Sequence, residues 1–415
     1  MTAMARDALP IQAGLLAVVV LGLPLAPDAR AQAGQAPSSH SPSHSEANLQ
    51  VRAERLGTRY RARLGQDYEA QIDARRHLVY VSALDAKALR TVRQVLATQL
   101  AAHRQTLFPQ PLARNVVVVL PTAQDYRRLV GRSKALGRYS TRERCLVTMT
   151  LGSVLRHEFT HAVHHNDQQR AGQEHAVWVA EALATLYQYA DIQDGRLAGR
   201  RTGDLAPLQR AVREGKAVAF KDLVRMDSAA FLQRADVTYP QVRWLALWLQ
   251  ERDQLGAFYE RYKDTYGDDP SGAQALEAVF GSPLADVETE WRRWLRKQEP
   301  PWRPRWEAVA HLGIRMRARE HGVAVDGFLP GSSAARSKQF RVGDVILSVA
   351  GEPTPDPAEL AKAVQSCKPG QTVRLEVLRD GRMTVVPHVL GAVRHVDEET
   401  KAPEAPSSPA PPPQP

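Results

Sequence analysis

Apolar residues in the first part of the chain switch between strand-like and helix-like spacing. Runs rich in β-branched or aromatic residues predict strands at residues 68–72, 77–81, 115–120 and 144–150. Between the second and third runs, apolar side chains recur at helical spacing and predict a helix over residues 85–104, with a shorter one at 125–130. This region is therefore expected to contain a small sheet with helices.

Helical periodicity dominates beyond Asp191 as far as residue 298. Five segments show it, at residues 205–214, 240–252, 255–266, 272–280 and 284–297. Trp244 and Trp248 lie one helical turn apart in the second segment, and Trp291 and Leu295 do so in the last. Such stripes are typical of core packing rather than of a ligand platform.

Prolines mark a domain boundary at residues 299–305, where Pro300, Pro301 and Pro304 predict a stiff linker. Residues 306–391 then follow a β-rich pattern with one helix at 356–367. The predicted fold class is α+β. A small N-terminal sheet with helices and a mostly helical C-terminal subdomain, built around one central helix, fill residues 49–298, and a β-rich domain follows.

Both termini have compositions that do not predict globular structure. Residues 1–31 combine an apolar run from Ala13 to Leu23 with an Ala29-Arg30-Ala31 cleavage signal, which is typical of a secretory signal peptide. An uncleaved membrane anchor is the alternative. Residues 32–48 are predicted to be a disordered linker and residues 397–415 a disordered Pro-rich tail. The expected location is therefore outside the cytoplasm, in the periplasm or secreted from a bacterium.

The net charge of +10 raises the question of nucleic-acid binding. The arginines are scattered and interleaved with acids, and no nucleic-acid motif accompanies them, so solvated surfaces are expected and nucleic acid is not. No segment of the mature chain approaches the apolar length of a membrane helix, so stable membrane insertion is not expected. The two cysteines, Cys145 and Cys367, are expected to be unpaired.

The central helix carries the pattern H-E-x-x-H in His157, Glu158 and His161. Two histidines four residues apart project from one helix face and can bind one Zn²⁺ ion, beside which Glu158 can act as general base. Glu181 lies on a second, very apolar helix, where a carboxylate needs a partner such as a metal. An ordinary helix with a His-rich surface is the alternative interpretation.

These residues resemble the gluzincin zinc metallopeptidases, in which H-E-x-x-H is followed by a helix that carries the third ligand. Trp178-Val179-Ala180-Glu181-Ala182-Leu183-Ala184 is similar to the family's W-x-x-E-G-x-A, with Ala182 in place of glycine. The resemblance implies one Zn²⁺ per chain, held by His157, His161 and Glu181, with Glu158 as the catalytic base.

The same resemblance implies two further features of the active site. Aminopeptidase-like gluzincins use a tyrosine as oxyanion donor, and Tyr239 lies at a similar distance after Glu181, before Pro240 as first residue of the next helix. Simple core packing of Tyr239 is the alternative. The strand at residues 144–150 is the candidate for pairing with an extended substrate, unless it is an internal strand without a free edge.

The C-terminal region is similar to bacterial PDZ domains. His311-Leu312-Gly313-Ile314 resembles the carboxylate-binding loop, and Pro330-Gly331-Ser332-Ser333-Ala334 and Gly343-Asp344-Val345-Ile346 match further PDZ motifs. The resemblance implies that Leu312, Gly313 and Ile314, with Leu360 and Val364 on the groove helix, bind the C-terminus of a peptide or protein. A groove filled by the domain's own side chains is the alternative.

Together, these patterns predict an exported zinc peptidase that hydrolyses peptide bonds of peptide or protein substrates. The combination distantly resembles the glycyl-aminopeptidase family, which joins a gluzincin domain to a PDZ domain. The alternative is a catalytically inactive zinc-domain protein that acts as a PDZ-based peptide-binding scaffold. Glu158 argues for the enzyme, because a purely structural site has no need of an acid beside the first histidine.

Overall fold

A computed structural model describes residues 46–131, 135–299, 308–319 and 321–394. The predicted signal peptide, most of the predicted linker at 32–48, residues 300–305 and the C-terminal tail lie outside these ranges. The first helix begins at Glu46, so the last three residues of that predicted linker are helical instead.

The first layer of the protein is a five-stranded sheet in the order β1-β2-β3-β5-β4. The strands β2, β3 and β5 are parallel, and β1 and β4 pair antiparallel with them at the two edges. In chain order the elements are α1 (Glu46–Leu64), β1 (Glu69–Asp73), β2 (Leu78–Ser82), α2 (Ala86–Thr106), β3 (Val116–Leu120), α3 (Ala123–Val130), β4 (Gly137–Ser140) and β5 (Cys145–Thr148).

Successive side chains of a strand point to opposite faces of the sheet, so neighbouring residues pack in two different cores. Val117 and Val119 of β3 face α1 and pack with Ala53 and Tyr60. Val118, next to both, faces the opposite side and joins the main core of the protein. Because both faces of the sheet are covered, all five residues of β3 are buried, which explains their continuous apolar run.

The central helix and its neighbours form the second layer, directly after β5. The helix α4 spans Ser153–Ala171 and packs against α5 (Val177–Gln188). Helix α5 in turn packs against α9 (Ala235–Glu251). The remaining elements in this part are β6 (Asp191–Gln193), β7 (Arg196–Ala198), α6 (Leu205–Arg213), α7 (Phe220–Leu223), α8 (Ser228–Gln233), α9 (Ala235–Glu251), α10 (Leu255–Thr265), α11 (Ala273–Phe280) and α12 (Leu284–Arg296). The predicted helical subdomain is thus confirmed.

Helix α4 continues to Ala171, where Gly172 in the left-handed region ends it. One boundary differs from that predicted. Pro240 is not the first residue of its helix, because α9 begins at Ala235. Packing sustains both helices beyond the local signals: residues 166–168 are buried, as are Val237 and Thr238.

The β-rich region contains a sheet in the order β14-β13-β11-β10-β9, with β12 beside β11, and a separate pair β8 and β15. Its elements are β8 (Ala308–His311), β9 (Ile314–Arg319), β10 (Gly322–Phe328), α13 (Ser333–Ser337), β11 (Val345–Val349), β12 (Glu352–Pro353), α14 (Pro357–Gln365), β13 (Thr372–Arg379), β14 (Arg382–Val389) and β15 (Gly391–Arg394). The mixed α+β class with a β-rich C-terminal domain is therefore confirmed. Among the described residues no helix is long and apolar enough to cross a membrane.

The C-terminal domain docks on the start of the central helix. The N–H of Leu151 donates to the Glu376 carboxylate at 2.8 Å, and the N–H of Ser153 donates to the Gly351 carbonyl at 3.0 Å. Gly152 approaches so closely that a Cβ there would lie 2.7 Å from the Gly351 carbonyl oxygen. The two domains therefore share a backbone contact and are not joined by the linker alone.

Apolar side chains extend this contact on the outer face of the second sheet. Leu347 and Met383 belong to the same buried cluster as the core of the first domain. Arg200 forms an ion pair with Glu352 at 3.5 Å at the rim. The turn between β9 and β10 also reaches the first domain, where the His321 ring meets that of Tyr126 at 6.3 Å.

Candidate metal centre

Three of the predicted site residues come together in the interior between α4 and α5. The Nε2 atoms of His157 and His161 lie 3.0 Å apart, and the Glu181 Oε2 atom lies 3.3 Å and 3.6 Å from them. Four ligands about 2.05 Å from one Zn²⁺ ion in a tetrahedron are separated by about 3.3 Å. The three side chains thus have the spacing of ligands around a common point.

Helix geometry accounts for this convergence. The two histidines are four residues apart on α4, so their side chains lie on one face of the helix, one turn apart. The packing of α5 on α4 brings Glu181 against that face. All three side chains are at most 5% exposed, so a charge there needs a partner inside the protein.

Gln188 is a neighbour of the site that the sequence did not single out. Its Oε1 atom lies 2.8 Å from Nδ1 of His157. An amide oxygen only accepts, so Nδ1 carries the proton and Nε2 presents its lone pair to the other two side chains. A glutamine at the last position of a helix gives no sequence signal; only the contact between α4 and α5 identifies it.

The electrostatics of Glu181 fit a ligand that stays ionised. Burial by itself raises the pKa of this carboxyl, but the neighbouring imidazoles of His161 and His157 outweigh it and hold the pKa at about 2. Its Oε2 atom has no hydrogen-bond donor in proper geometry although it is completely buried. A buried carboxylate oxygen without a hydrogen-bond donor fits the role of a metal ligand.

Glu158 lies beside the ligands and is also completely buried. Neither of its carboxylate oxygens has a hydrogen-bond partner in proper geometry. Burial, with the charge of Glu181 as a further cause, raises its pKa to about 8, although His157 opposes the shift. A carboxyl with a pKa near neutrality can both take up and return a proton.

The strand β4 covers Glu158 from the side of the sheet. A Cβ at Gly137 would lie 2.9 Å from the Cγ atom of Glu158, so only glycine allows this approach. Among the described residues, β4 is an edge strand of its sheet and pairs with β5 alone. The strand predicted to offer a free edge, at residues 144–150, is therefore the wrong one, because β5 lies between β3 and β4. The free edge belongs to β4.

Tyr239 lies on α9 and belongs to the surroundings of both acids. Burial is the main cause that raises the pKa of its phenol, and the charges of Glu181 and Glu158 raise it further. The phenol therefore stays protonated and remains a hydrogen-bond donor. Tyr239 also packs edge-on against Phe231, with ring centroids 5.2 Å apart, so it has a packing role as well.

The other tyrosines and histidines near the site have their own partners. The hydroxyl of Tyr259 donates to Asp167 at 2.7 Å, and Tyr187 packs edge-on against His103. His164 contacts His175 at 2.8 Å, and His165 contacts the Tyr139 hydroxyl at 2.9 Å. These contacts tie α4 to its neighbours, and among the described residues the one group with metal-ligand spacing is His157, His161 and Glu181.

Gly313, in the predicted carboxylate loop of the C-terminal domain, lies in the left-handed region of backbone conformation. Gly313 has a φ of 75°, and a Cβ there would overlap the Ser332 side chain. The Gly313 carbonyl accepts from the Leu329 N–H and the Ser332 hydroxyl, at 2.9 Å and 2.8 Å. The Leu312 carbonyl also accepts a hydrogen bond, from the Ser333 hydroxyl at 3.3 Å, so both loop carbonyls have partners within the domain.

The apolar residues predicted to line the groove are mostly buried. Leu312, Ile314, Leu360 and Val364 pack in one core cluster and are at most 8% exposed. They form the floor between β9 and α14 rather than a wide pocket. Cys367 lies in the same cluster, and both cysteines are buried and unpaired, as predicted.

Comparison with known proteins identifies the C-terminal domain. Residues 310–386 match the PDZ domain family. The magnetosome formation protease MamE of Magnetospirillum gryphiswaldense is 39% identical over 85 residues, which is 20% of this chain and 11% of that protein. The match therefore covers a small part of a longer relative. The chain contains a PDZ domain, and at least one similar PDZ-containing protein is a protease.

Solved structures that resemble this chain do so with low sequence identity and low TM-scores. The PDZ domain of a carboxy-terminal protease from Vibrio cholerae, in complex with peptide, is 21% identical and covers 21% of this chain and 99% of that one, with a TM-score of 0.19. An aminopeptidase N family protein from Idiomarina loihiensis is 11% identical and covers 78% of this chain and 66% of that one, with a TM-score of 0.32.

Proposed function

We propose that this protein is an exported zinc-dependent peptidase whose PDZ domain binds the C-termini of peptides or proteins. The observation that carries the proposal is the convergence of His157, His161 and Glu181 at 3.0–3.6 Å, beside a buried and unpaired Glu158. A site that only stabilised the fold would have no use for that additional carboxylate. Export follows from the expected signal peptide alone.

In this proposal, separate residues bind the metal ion, orient a ligand and transfer the proton. His157, His161 and Glu181 hold the ion, and Gln188 keeps the first imidazole in the tautomer that can bind it. When bound, Zn²⁺ supplies a Lewis acid that polarises a carbonyl group and lowers the pKa of water. Glu158 accepts a proton from the attacking water and returns it to the leaving amine.

Two further elements would position the substrate. The free edge of β4 passes Glu158, and an extended peptide can pair with it through main-chain hydrogen bonds. The Tyr239 phenol, kept protonated by its surroundings, can donate to the oxygen on which negative charge develops.

The test combines metal analysis with a change of the base. Purified protein should contain about one Zn²⁺ per chain, and Glu181→Ala should lose most of it, because a ligand is removed. Glu158→Gln should retain the zinc but lose most cleavage of a mixed-peptide library, because an amide cannot accept the proton. Full zinc occupancy in Glu181→Ala would remove that residue from the ligand set.

A peptide-binding scaffold without catalysis is the second candidate. It is supported by the match of residues 310–386 to the PDZ domain family, because a PDZ domain can bind peptides without catalysis. Zinc-loaded parent protein that cleaves nothing in the library, or Glu158→Gln that cleaves as well as the parent, would decide against the proposed mechanism. The first outcome supports the scaffold.

A further inference from the structure

The strand β9 is the open edge of the PDZ sheet. The sheet order places β9 last, and within the part of the chain that the structure describes it pairs with β10 alone. All of its residues after Ile314 are exposed. The side of β9 that faces away from β10 is therefore available to an added strand.

The two faces of β9 differ in chemistry. Met316 lies opposite Val325 and Ala318 opposite Val323, and both valines belong to the core of the PDZ domain. Residues directly opposite in an antiparallel pair share a face. Met316 and Ala318 thus face α14, and Met316 is 44% exposed there.

Three arginines occupy the other face at every second position, namely Arg315, Arg317 and Arg319. Arg317 is paired with Asp326 at 2.8 Å and is still 58% exposed. Among the described residues, no carboxylate lies within ion-pair distance of Arg315 or Arg319. On α14, across the groove, Lys362 and Glu359 are paired with each other at 3.4 Å. The arginine face therefore carries an excess of positive charge along the whole strand.

The direction of an added peptide follows from the loop that precedes β9. A terminal carboxylate bound at Leu312 and Gly313 lies at the N-terminal end of β9, so the peptide runs antiparallel to the strand. Its upstream residues then pass Arg315, Arg317 and Arg319 in turn. Every second side chain of the peptide lies on the arginine face, and those between them lie on the Met316 face.

We propose that the PDZ groove selects protein C-termini in which acidic side chains alternate with apolar ones. The inference rests on the proposed C-terminus binding and adds the chemical class of the partner. Opposite charges on directly neighbouring positions of two strands attract, and like charges repel. Acidic C-termini are favoured for this reason and basic ones are excluded.

The experiment measures binding without cleavage, in full-length Glu158→Gln protein. Three fluorescent decapeptides share an apolar C-terminal residue and carry glutamate, glutamine or lysine at every second position. Fluorescence anisotropy should show that the glutamate peptide binds about tenfold more tightly than the glutamine peptide at low salt. The lysine peptide should bind most weakly, and added salt should reduce the differences.

Matched variants assign the preference to the arginine face. Changing Arg315, Arg317 and Arg319 together to glutamine should abolish the preference for the glutamate peptide over the glutamine and lysine peptides. The control changes Arg336, Lys338 and Arg341 to glutamine, which removes the same amount of charge elsewhere on the PDZ domain. This variant should keep the preference for the glutamate peptide. A preference that survives the first triple change, or disappears in the second, overturns the inference.

Two further comparisons separate the inference from the proposed function. If the glutamine peptide binds, loses binding on amidation of its C-terminus, and the glutamate peptide binds no better, then C-terminus binding stands and the acidic preference fails. If no peptide binds, both fail. In the second comparison, Asp397, Glu398 and Glu399 are changed to serine. If this strengthens binding of the glutamate peptide by the same factor as that by which the parent prefers it to the glutamine peptide, a segment of this chain occupies the strand. An external partner is then excluded.

Discussion

At the scale of single residues, the proposed ligand His157 depends on a partner that orients it. His157 can act as a ligand through Nε2 only while Nδ1 holds the proton, and Gln188 is the group that secures this. Outer partners of this kind typically contribute 10–100-fold in metal affinity. The residues of a metal site therefore include some that never touch the ion.

Gln188→Ala is expected to weaken zinc binding by roughly 10–100-fold without unfolding the protein. Competition with a chelator of known affinity measures the change. Gln99→Ala is the matched control, because Gln99 is equally buried and also contacts α4, through the Arg156 carbonyl at 3.0 Å. Equal losses in both variants would show that packing on α4, not the orientation of His157, matters.

Tyr239→Phe separates the two roles of the phenol. The ring that packs on Phe231 is retained, and only the donor is removed. We expect kcat to fall by roughly 10²-fold, with little change in stability or zinc content. Tyr259→Phe is the control, since that hydroxyl donates to Asp167 away from the site. Unchanged kcat in Tyr239→Phe would leave the residue with packing alone.

Sequence and structure agree best where one segment carries the signal. The spacing of His157 and His161 already places them together, since helix geometry depends only on local residues. The sequence did not predict the role of Gln188 or the free edge of β4, because both depend on contacts between distant segments. The strand at 144–150 is internal, which was the alternative to a free edge, and nothing in its own residues reveals that Gly137–Ser140 pairs outside it.

At the scale of elements, the first turn of α4 depends on another domain. Gly152 offers no side chain that could cap the helix. The carbonyl of Gly351 and the carboxylate of Glu376 accept the N–H groups of Ser153 and Leu151 instead. Acceptors at a helix N-terminus stabilise the helix, here the one that carries His157 one turn later.

Glu376 makes this contact sensitive to pH. Burial raises its pKa to about 7 from an ordinary value of 4.5, while the Leu151 N–H, Ser348, Arg156 and Arg374 lower it in part. The folded protein thus binds a proton more tightly than the unfolded chain. Stability from this group is complete below pH 4.5 and is lost as the pH rises toward 7.

Glu376→Gln should remove this part of the pH dependence. Glutamine keeps an oxygen that can accept from Leu151 but does not ionise. We expect the parent to lose up to roughly 3 kcal/mol of stability from this group between pH 4.5 and 7.5, a loss that is absent in the variant. Urea unfolding across that range measures it, with the exposed-surface change Lys338→Gln as control. Identical pH profiles would show that Glu376 is ionised without cost.

At the scale of the whole molecule, the PDZ domain and the zinc domain form one packed structure. The sequence predicted two domains held by a Pro-rich linker, and the linker composition gives no hint of an interface. The interface arises from tertiary packing, in which Leu347 and Met383 of the PDZ domain enter the core of the first domain. The proposed peptide site on β9 and the candidate metal centre therefore belong to one packed structure.

The contact between Gly152 and Gly351 offers a way to weaken the packing between the two domains. Backbone meets backbone there, so a Cβ at position 152 has no flexible neighbour that could yield, and the domains must move apart. We expect Gly152→Ala to lower Tm by several degrees and to split one cooperative unfolding transition into two. Gly267→Ala is the control, since a Cβ at Gly267 meets no atom within 4 Å.

Differential scanning calorimetry shows the number of transitions. In Gly152→Ala a lower-melting transition should appear, because undocking removes the contacts that join the two domains. Zinc affinity should fall as well, since α4 loses the acceptors at its first turn. A single transition at the parent's Tm would mean that the two domains are coupled through other contacts.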